Sequence, residues 1–138
     1  MSTRSRIGRK NADGTITSIY CRFDGYPEGV GAMLAKHYTD PAKVDALMAL
    51  GDIEGLNVEC QNPPDGHSYD APAKGHTVAY GRDRGEDGVD ALTHAGDKWP
   101  RSGQDYTYLF DGETWGLLLR DGTCQSIMDA IADRDSDD

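Results

Sequence analysis

"YTYLFDGETWGLLL", Tyr106–Leu119, is the stretch on which the fold turns. Tyr106, Tyr108 and Phe110 alternate with Thr107 and Leu109, the period of two expected of a strand with one buried face. Asp111-Gly112 supplies the positive-φ turn that a tight hairpin needs, and Trp115, Leu117 and Leu119 carry the returning strand. The other end of the chain repeats the pattern. "TRSRIGRK", Thr3–Lys10, leads into Asp13-Gly14 and out through "TITSIYCRF", Thr15–Phe23, where Ile16, Thr17, Ile19, Tyr20 and Phe23 are strand formers. Two hairpins at opposite ends of the chain predict one small antiparallel sheet.

Between the hairpins the pattern becomes helical. In "DGYPEGVGAMLAKHY", Asp24–Tyr38, Pro27 suits a first helical position, and Val30, Met33, Leu34, His37 and Tyr38 follow a helical stripe. Gly29 and Gly31 each cost roughly 1 kcal/mol against alanine inside a helix, so they imply close approach of backbone to another element or to a ligand. "TDPAKVDALMALGD", Thr39–Asp52, is the clearest helix. Asp40 caps it, Pro41 begins it, Val44, Leu47, Met48 and Leu50 face inward, and Gly51 ends it. "IEGL", Ile53–Leu56, reads as one further turn. Residues 57 to 74 are dense in Pro, Gly, Asp and Asn and predict a long irregular loop. "HTVAYG" fits either a short strand or the first turn of a helix, and the weak pattern after Glu86 offers Val89, Leu92 and Trp99 as anchors. "CQSIMDAIAD", Cys124–Asp133, predicts a short amphipathic helix carrying Ile127, Met128 and Ile131. The expected architecture is α+β, a single domain over residues 1–138 with helices on one face of the sheet and a frayed acidic C-terminal tail.

Composition narrows the function classes. The chain has 138 residues and a formal net charge of -10, which on average repels nucleic acid. No apolar run approaches a membrane span, and the basic N-terminus is followed by no apolar stretch of the kind a signal peptide carries. Cys21, Cys60 and Cys124 are scattered, without the spacing of a zinc site or a disulfide framework, as expected of idle thiols in a reducing cytoplasm. Motif by motif, no catalytic constellation stands out: H-E-x-x-H, G-x-S-x-G and C-x-x-C are all absent. His37 falls on the apolar stripe of its helix, and His67 and His76 flank the long loop too far apart in sequence to imply a shared metal. No cofactor, metal or catalytic residue is therefore expected.

Two places remain that could hold an anion. "GYPEGVG", Gly25–Gly31, opens a helix with free N–H groups but lacks the lysine and hydroxyl of a P-loop, so a tight helix start is the preferred reading. In "AYGRDRGED", Ala79–Asp87, an extended backbone would put Tyr80, Arg82 and Arg84 on one side, an aromatic plate beside two guanidinium forks. A helix would spread them apart, and local pairing with Asp83, Glu86 or Asp87 is the bland counterpart. Arg4 and Arg6 show the same alternation on the first strand.

"MSTRSRI", "IYCRFDGYPEGVG", "HYTDPAKVDALMALGDI", "AYGRDRGED" and "YTYLFDGETW" together resemble a family of small acidic accessory proteins of tailed phages and prophages. The resemblance spans nearly the whole chain. It implies a setting, the cytoplasm of a bacterial host, and brings no activity from which catalytic residues could be carried over. Proteins of this setting often counter host defences. Some inhibit nucleases by imitating DNA, and others hold a nucleotide immune signal without cleaving it. The expectation that follows is a binding protein for a small phosphorylated nucleotide, with Arg82 or Arg84 on the phosphate, helped by Arg4 or Arg6, and Tyr26 or Tyr80 stacking on a base. Analogy with such sponges adds a homodimer. The alternative is an acidic DNA mimic that binds a host defence nuclease, motivated by the net charge and by the tail with Asp129, Asp133, Asp135, Asp137 and Asp138.

Overall fold

The computed structural model describes residues 3–96, 98–100 and 104–136, and of 134–136 the backbone alone. Its elements run β1 (Ser5–Lys10), β2 (Thr15–Cys21), a π-helical turn (Pro27–Gly31), α1 (Ala32–His37), α2 (Pro41–Leu50), β3 (Ile53–Gly55), β4 (Val78–Ala79), α3 (Tyr80–Arg84), β5 (Leu92–Ala95), β6 (Tyr106–Phe110), β7 (Trp115–Leu118), β8 (Cys124–Ser126) and α4 (Ile127–Ser136). Among the described residues the strands form one sheet in the order β4-β3-β2-β1-β6-β7-β8, with β5 also pairing with β2. The class is α+β.

The sheet is mixed, which corrects the antiparallel expectation. β1 and β2 pair antiparallel with Ile7 opposite Ile19, whereas β1 and β6 pair parallel with Ile7 beside Tyr108. β2 and β3 are also parallel, at Cys21 and Ile53. Connection length explains both cases. A tight turn can only reverse the chain, but a long excursion through helices and loop can bring a strand back in the same direction.

Local chemistry sets the element ends. At the first turn Gly14 has φ +88°, and Asp13 Oδ1 accepts from the Thr15 N–H and hydroxyl at 2.9 and 2.6 Å. At α2 the Asp40 carboxylate accepts from the Ala42 N–H at 3.0 Å, Pro41 follows it, and Gly51 ends the helix at φ +75°. Beyond Gly51 the expected further turn is instead strand β3, because Ile53 is held between Cys21 on one side and Ala79 on the other. Partners distant in sequence decide its conformation.

One core joins sheet and helices. Ile7, Ile19, Tyr108 and Phe110 pack with Leu34, Tyr38, Val44, Leu47 and Ile127. Within it the Tyr108 hydroxyl donates to the Gly25 carbonyl at 2.7 Å, and the Trp115 indole N–H donates to the Tyr38 carbonyl at 2.8 Å. Three expected anchors are not in it. Leu92, Leu119 and Met128 are exposed, and Ala130 takes the inward place on α4 beside Ile127. Trp99 is buried, its ring occupying the space where a side chain on Gly8 would stand. Asp137 and Asp138, part of the terminus read as frayed, lie outside the described residues, and Asp135 is described by its backbone alone.

Candidate functional site

The stretch Tyr80–Arg84 is helical, so Tyr80, Arg82 and Arg84 do not line one side of an extended segment. The segment begins as β4 and turns into α3, combining the two readings its sequence left open. Three consecutive side chains of α3 each grip a different part of the polypeptide around it. Arg82 forms a two-pronged pair with Asp83, Nε to Oδ1 at 2.8 Å and Nη2 to Oδ2 at 3.0 Å, and also donates to the carbonyls of Cys60 at 2.7 Å and Thr77 at 2.8 Å. Asp83 accepts from the Ala79 N–H at 2.8 Å and lies 3.1 Å from His67 Nε2. The Nε2–H points off the line to Oδ2, so this last contact is electrostatic more than a well-aligned hydrogen bond. Arg84 Nη1 reaches the Tyr69 hydroxyl at 3.2 Å. Burial works against ionisation of Asp83, but the hydrogen bonds from Arg82 and the Ala79 N–H, with the close approach of His67, outweigh it and hold its carboxyl at about 2. Arg82 is thus a staple for the long loop, with each of its three guanidinium nitrogens engaged.

Arg84 is different. Its guanidinium is exposed and lies 5.0 Å from the centroid of the Tyr69 ring and 5.9 Å from that of Tyr80, with Glu86 at 3.8 Å. The two tyrosine rings are 6.1 Å apart. Arg22 faces the Tyr80 hydroxyl and also lies 5.1 Å over the exposed Phe23 ring. The Tyr69 hydroxyl donates to Glu54 at 2.6 Å. The guanidinium of Arg4 has no partner among the described residues; only its main chain is engaged, with Asp105 and Tyr106. Arg22 and Arg84 therefore offer cationic forks around two tyrosine rings, in a chain that is acidic as a whole.

Of the residues named from sequence, Tyr80 and Arg84 belong to this cluster, Tyr80 as a buried ring; among the described residues Arg4 is joined to it by no contact. Arg82 stands at its base with each guanidinium nitrogen already bonded. Arg6 is buried opposite Tyr20, its Nε donating to Ser18 Oγ at 2.9 Å. Burial pushes the Arg6 guanidinium pKa down, opposed by the charge of Asp52. It is not presented at the surface. The Tyr26 hydroxyl faces Asp24 at 3.5 Å, and among the described residues no contact joins it to the arginines. Arg22, Glu54 and Tyr69 were missed. Arg22 could have been found, since it continues the alternation from Tyr20. Tyr69 sits in irregular sequence and is placed only by partners fifteen residues away on either side.

The glycine-rich stretch has a packing role. A side chain on Gly25 would meet Arg4 and Ser5, one on Gly29 would meet the Asp24 carbonyl, and one on Gly31 would meet Tyr108 and Ile127. His67 and His76, separated in sequence, have ring centroids 5.8 Å apart, a proximity the sequence did not suggest. Among the described residues no group of three or more His, Cys, Asp or Glu side chains is arranged to hold a metal ion. Burial pushes the Cys21 thiol up to about 12, and burial also raises that of Cys60, opposite to what a nucleophile requires. Clefts of about 1000 Å³ beside Trp99 and Thr107 and about 420 Å³ between the Asn11 and Gly112 turns include neither Arg84 nor Tyr80. No described helix is long and apolar enough to cross a membrane. No protein-family model, curated protein or solved structure matches the chain.

Proposed function

We propose that this protein sequesters a small phosphorylated nucleotide without cleaving it, in the setting that its phage-like sequence suggests. The observation that carries the reading is Arg84, exposed yet held over the rings of Tyr69 and Tyr80. A guanidinium fixed on an aromatic face loses little freedom when it pairs with a phosphate. Arg22 supplies further donors, and the half-buried Tyr69 ring and the exposed Phe23 ring suit a base. The ligand would be a cyclic nucleotide or an ADP-ribose-type signal, and the active form a homodimer. The test is calorimetric titration of the purified protein with a panel of such nucleotides, followed by chromatography of the mixture. Intact ligand recovered from a stoichiometric complex supports sequestration, and a changed product shows catalysis. Parent-like affinity in both Arg84→Ala and Arg22→Ala removes this surface as the site.

A further inference from the structure

Tyr69 is carried at the tip of a small closed loop, "HSYDAPA", His67–Ala73. Its base is joined by a side chain: the Ala73 N–H donates to His67 Nδ1 at 2.9 Å. Within the loop Ser68 Oγ accepts from the Ala71 N–H at 3.0 Å, and the Ser68 N–H reaches the Ala71 carbonyl at 3.2 Å. The His67 side chain is 1 % exposed, sealed between this loop and α3. Because Nδ1 accepts a hydrogen bond it carries no proton, so the ring is neutral with its hydrogen on Nε2, facing Asp83.

That arrangement responds to protonation in a definite direction. A second proton on the ring must go to Nδ1, where it meets the Ala73 N–H head on; one acceptor becomes a donor and the loop base parts. The Asp83 contact is not lost, since Asp83 stays ionised through the mildly acid range and attracts the imidazolium. The groups facing His67 are Asp83 of α3, with Arg82 behind it, and the ring of His76 at the foot of the loop. Tyr69 itself is held by Glu54 of β3 and Arg84 of α3. We infer that His67 is a proton-sensitive latch: in its neutral form it closes the 67–73 loop that carries Tyr69, and on protonation it frees the Ala73 end and leaves Tyr69 held by Glu54 and Arg84 alone. The latch is a property of the ligand-free chain, whereas its effect on nucleotide affinity rests on the function proposed above.

The experiment is an NMR titration of the ligand-free protein from about pH 7.5 to about pH 5, the range in which histidine changes charge. It follows the His67 ring carbons, the Ala73 amide and the Tyr69 ring together. The expected result is one shared midpoint, with the intrinsic-rate-corrected protection of the Ala73 amide falling on the order of tenfold across it. His67→Gln should abolish the shared transition, and His76→Gln should leave it in place. An Ala73 amide or a Tyr69 ring that does not follow the His67 titration overturns the latch. So does a His67 ring that stays neutral to about pH 5, or a transition that survives in His67→Gln. If His67→Gln does not fold, the parent titration alone still decides. A latch that works while no nucleotide binds leaves the loop mechanism standing and removes the proposed function, so the two failures are distinguishable.

Discussion

At the scale of single residues, Arg82 and Arg84 look interchangeable in sequence and are not. Arg82 holds Cys60, Thr77 and Asp83 together. Arg82→Ala is expected to cost roughly 2–4 kcal/mol of stability, the range of losing a charged multi-point donor and leaving its acceptors unmet. Arg84→Ala should cost well under about 1 kcal/mol, being an exposed pairing. In the proposed function Arg84→Ala should nevertheless weaken nucleotide binding roughly 10- to 150-fold, and Arg84→Lys should restore only part, since lysine lacks the planar fork. Denaturant midpoints and calorimetry on the variants check both halves. Equal loss of stability in the two alanine variants would contradict this division of labour. Asp83 adds a pH dependence. Its folded-state carboxyl lies at about 2 against an ordinary 3.8, so its stabilisation is complete above about pH 4 and is lost as pH falls toward 2, a total of about 2 kcal/mol. The gap in melting temperature between the parent and Asp83→Asn should therefore narrow on acidification below pH ~4; a constant gap excludes the assignment.

At the scale of elements, α2 was legible because its information is local. Cap, first-turn proline, apolar spacing and terminal glycine all lie within its own sequence. Leu47 is fully buried, and Leu47→Ala should lower stability by roughly 2–5 kcal/mol, measured as a shift of the denaturant midpoint. β3 was not legible as a strand, and β4 only as one of two readings, because they are three and two residues long and exist only by pairing. Gly8 in β1 is a similar case. Its missing side chain makes room for the Trp99 ring, a contact no local pattern announces. Gly8→Ala should destabilise by roughly 1–3 kcal/mol through overpacking, and an unchanged midpoint would mean that Trp99 swings clear.

At the scale of the whole molecule, the net charge of -10 is a matter of solubility and partner choice, and says little about fold. Removing residues 134–138 should leave the melting temperature and nucleotide affinity of the parent within error. If the protein instead imitates DNA, the same truncation or raised salt should weaken inhibition of the target nuclease, read by a cleavage assay. Nucleotide binding through arginines should itself weaken with salt, so the truncation is the arm that separates the two readings.

Sequence by itself determined the α+β class, the boundaries of α2 and the turns at Gly14 and Gly112, because each depends on residues a few positions apart. It also drew attention to Tyr80–Arg84. What those residues do was decided by tertiary structure. The helical conformation of α3 spends Arg82 and Asp83 on the loop and leaves Arg84 outside, where Tyr69 arrives from fifteen residues upstream. The parallel seam between β1 and β6 and the burial of Arg6 are likewise non-local. The physical reason is common to all of them. A hydrogen bond or a packed ring between segments far apart in the chain depends on where the intervening chain returns, and that is fixed only when the core assembles.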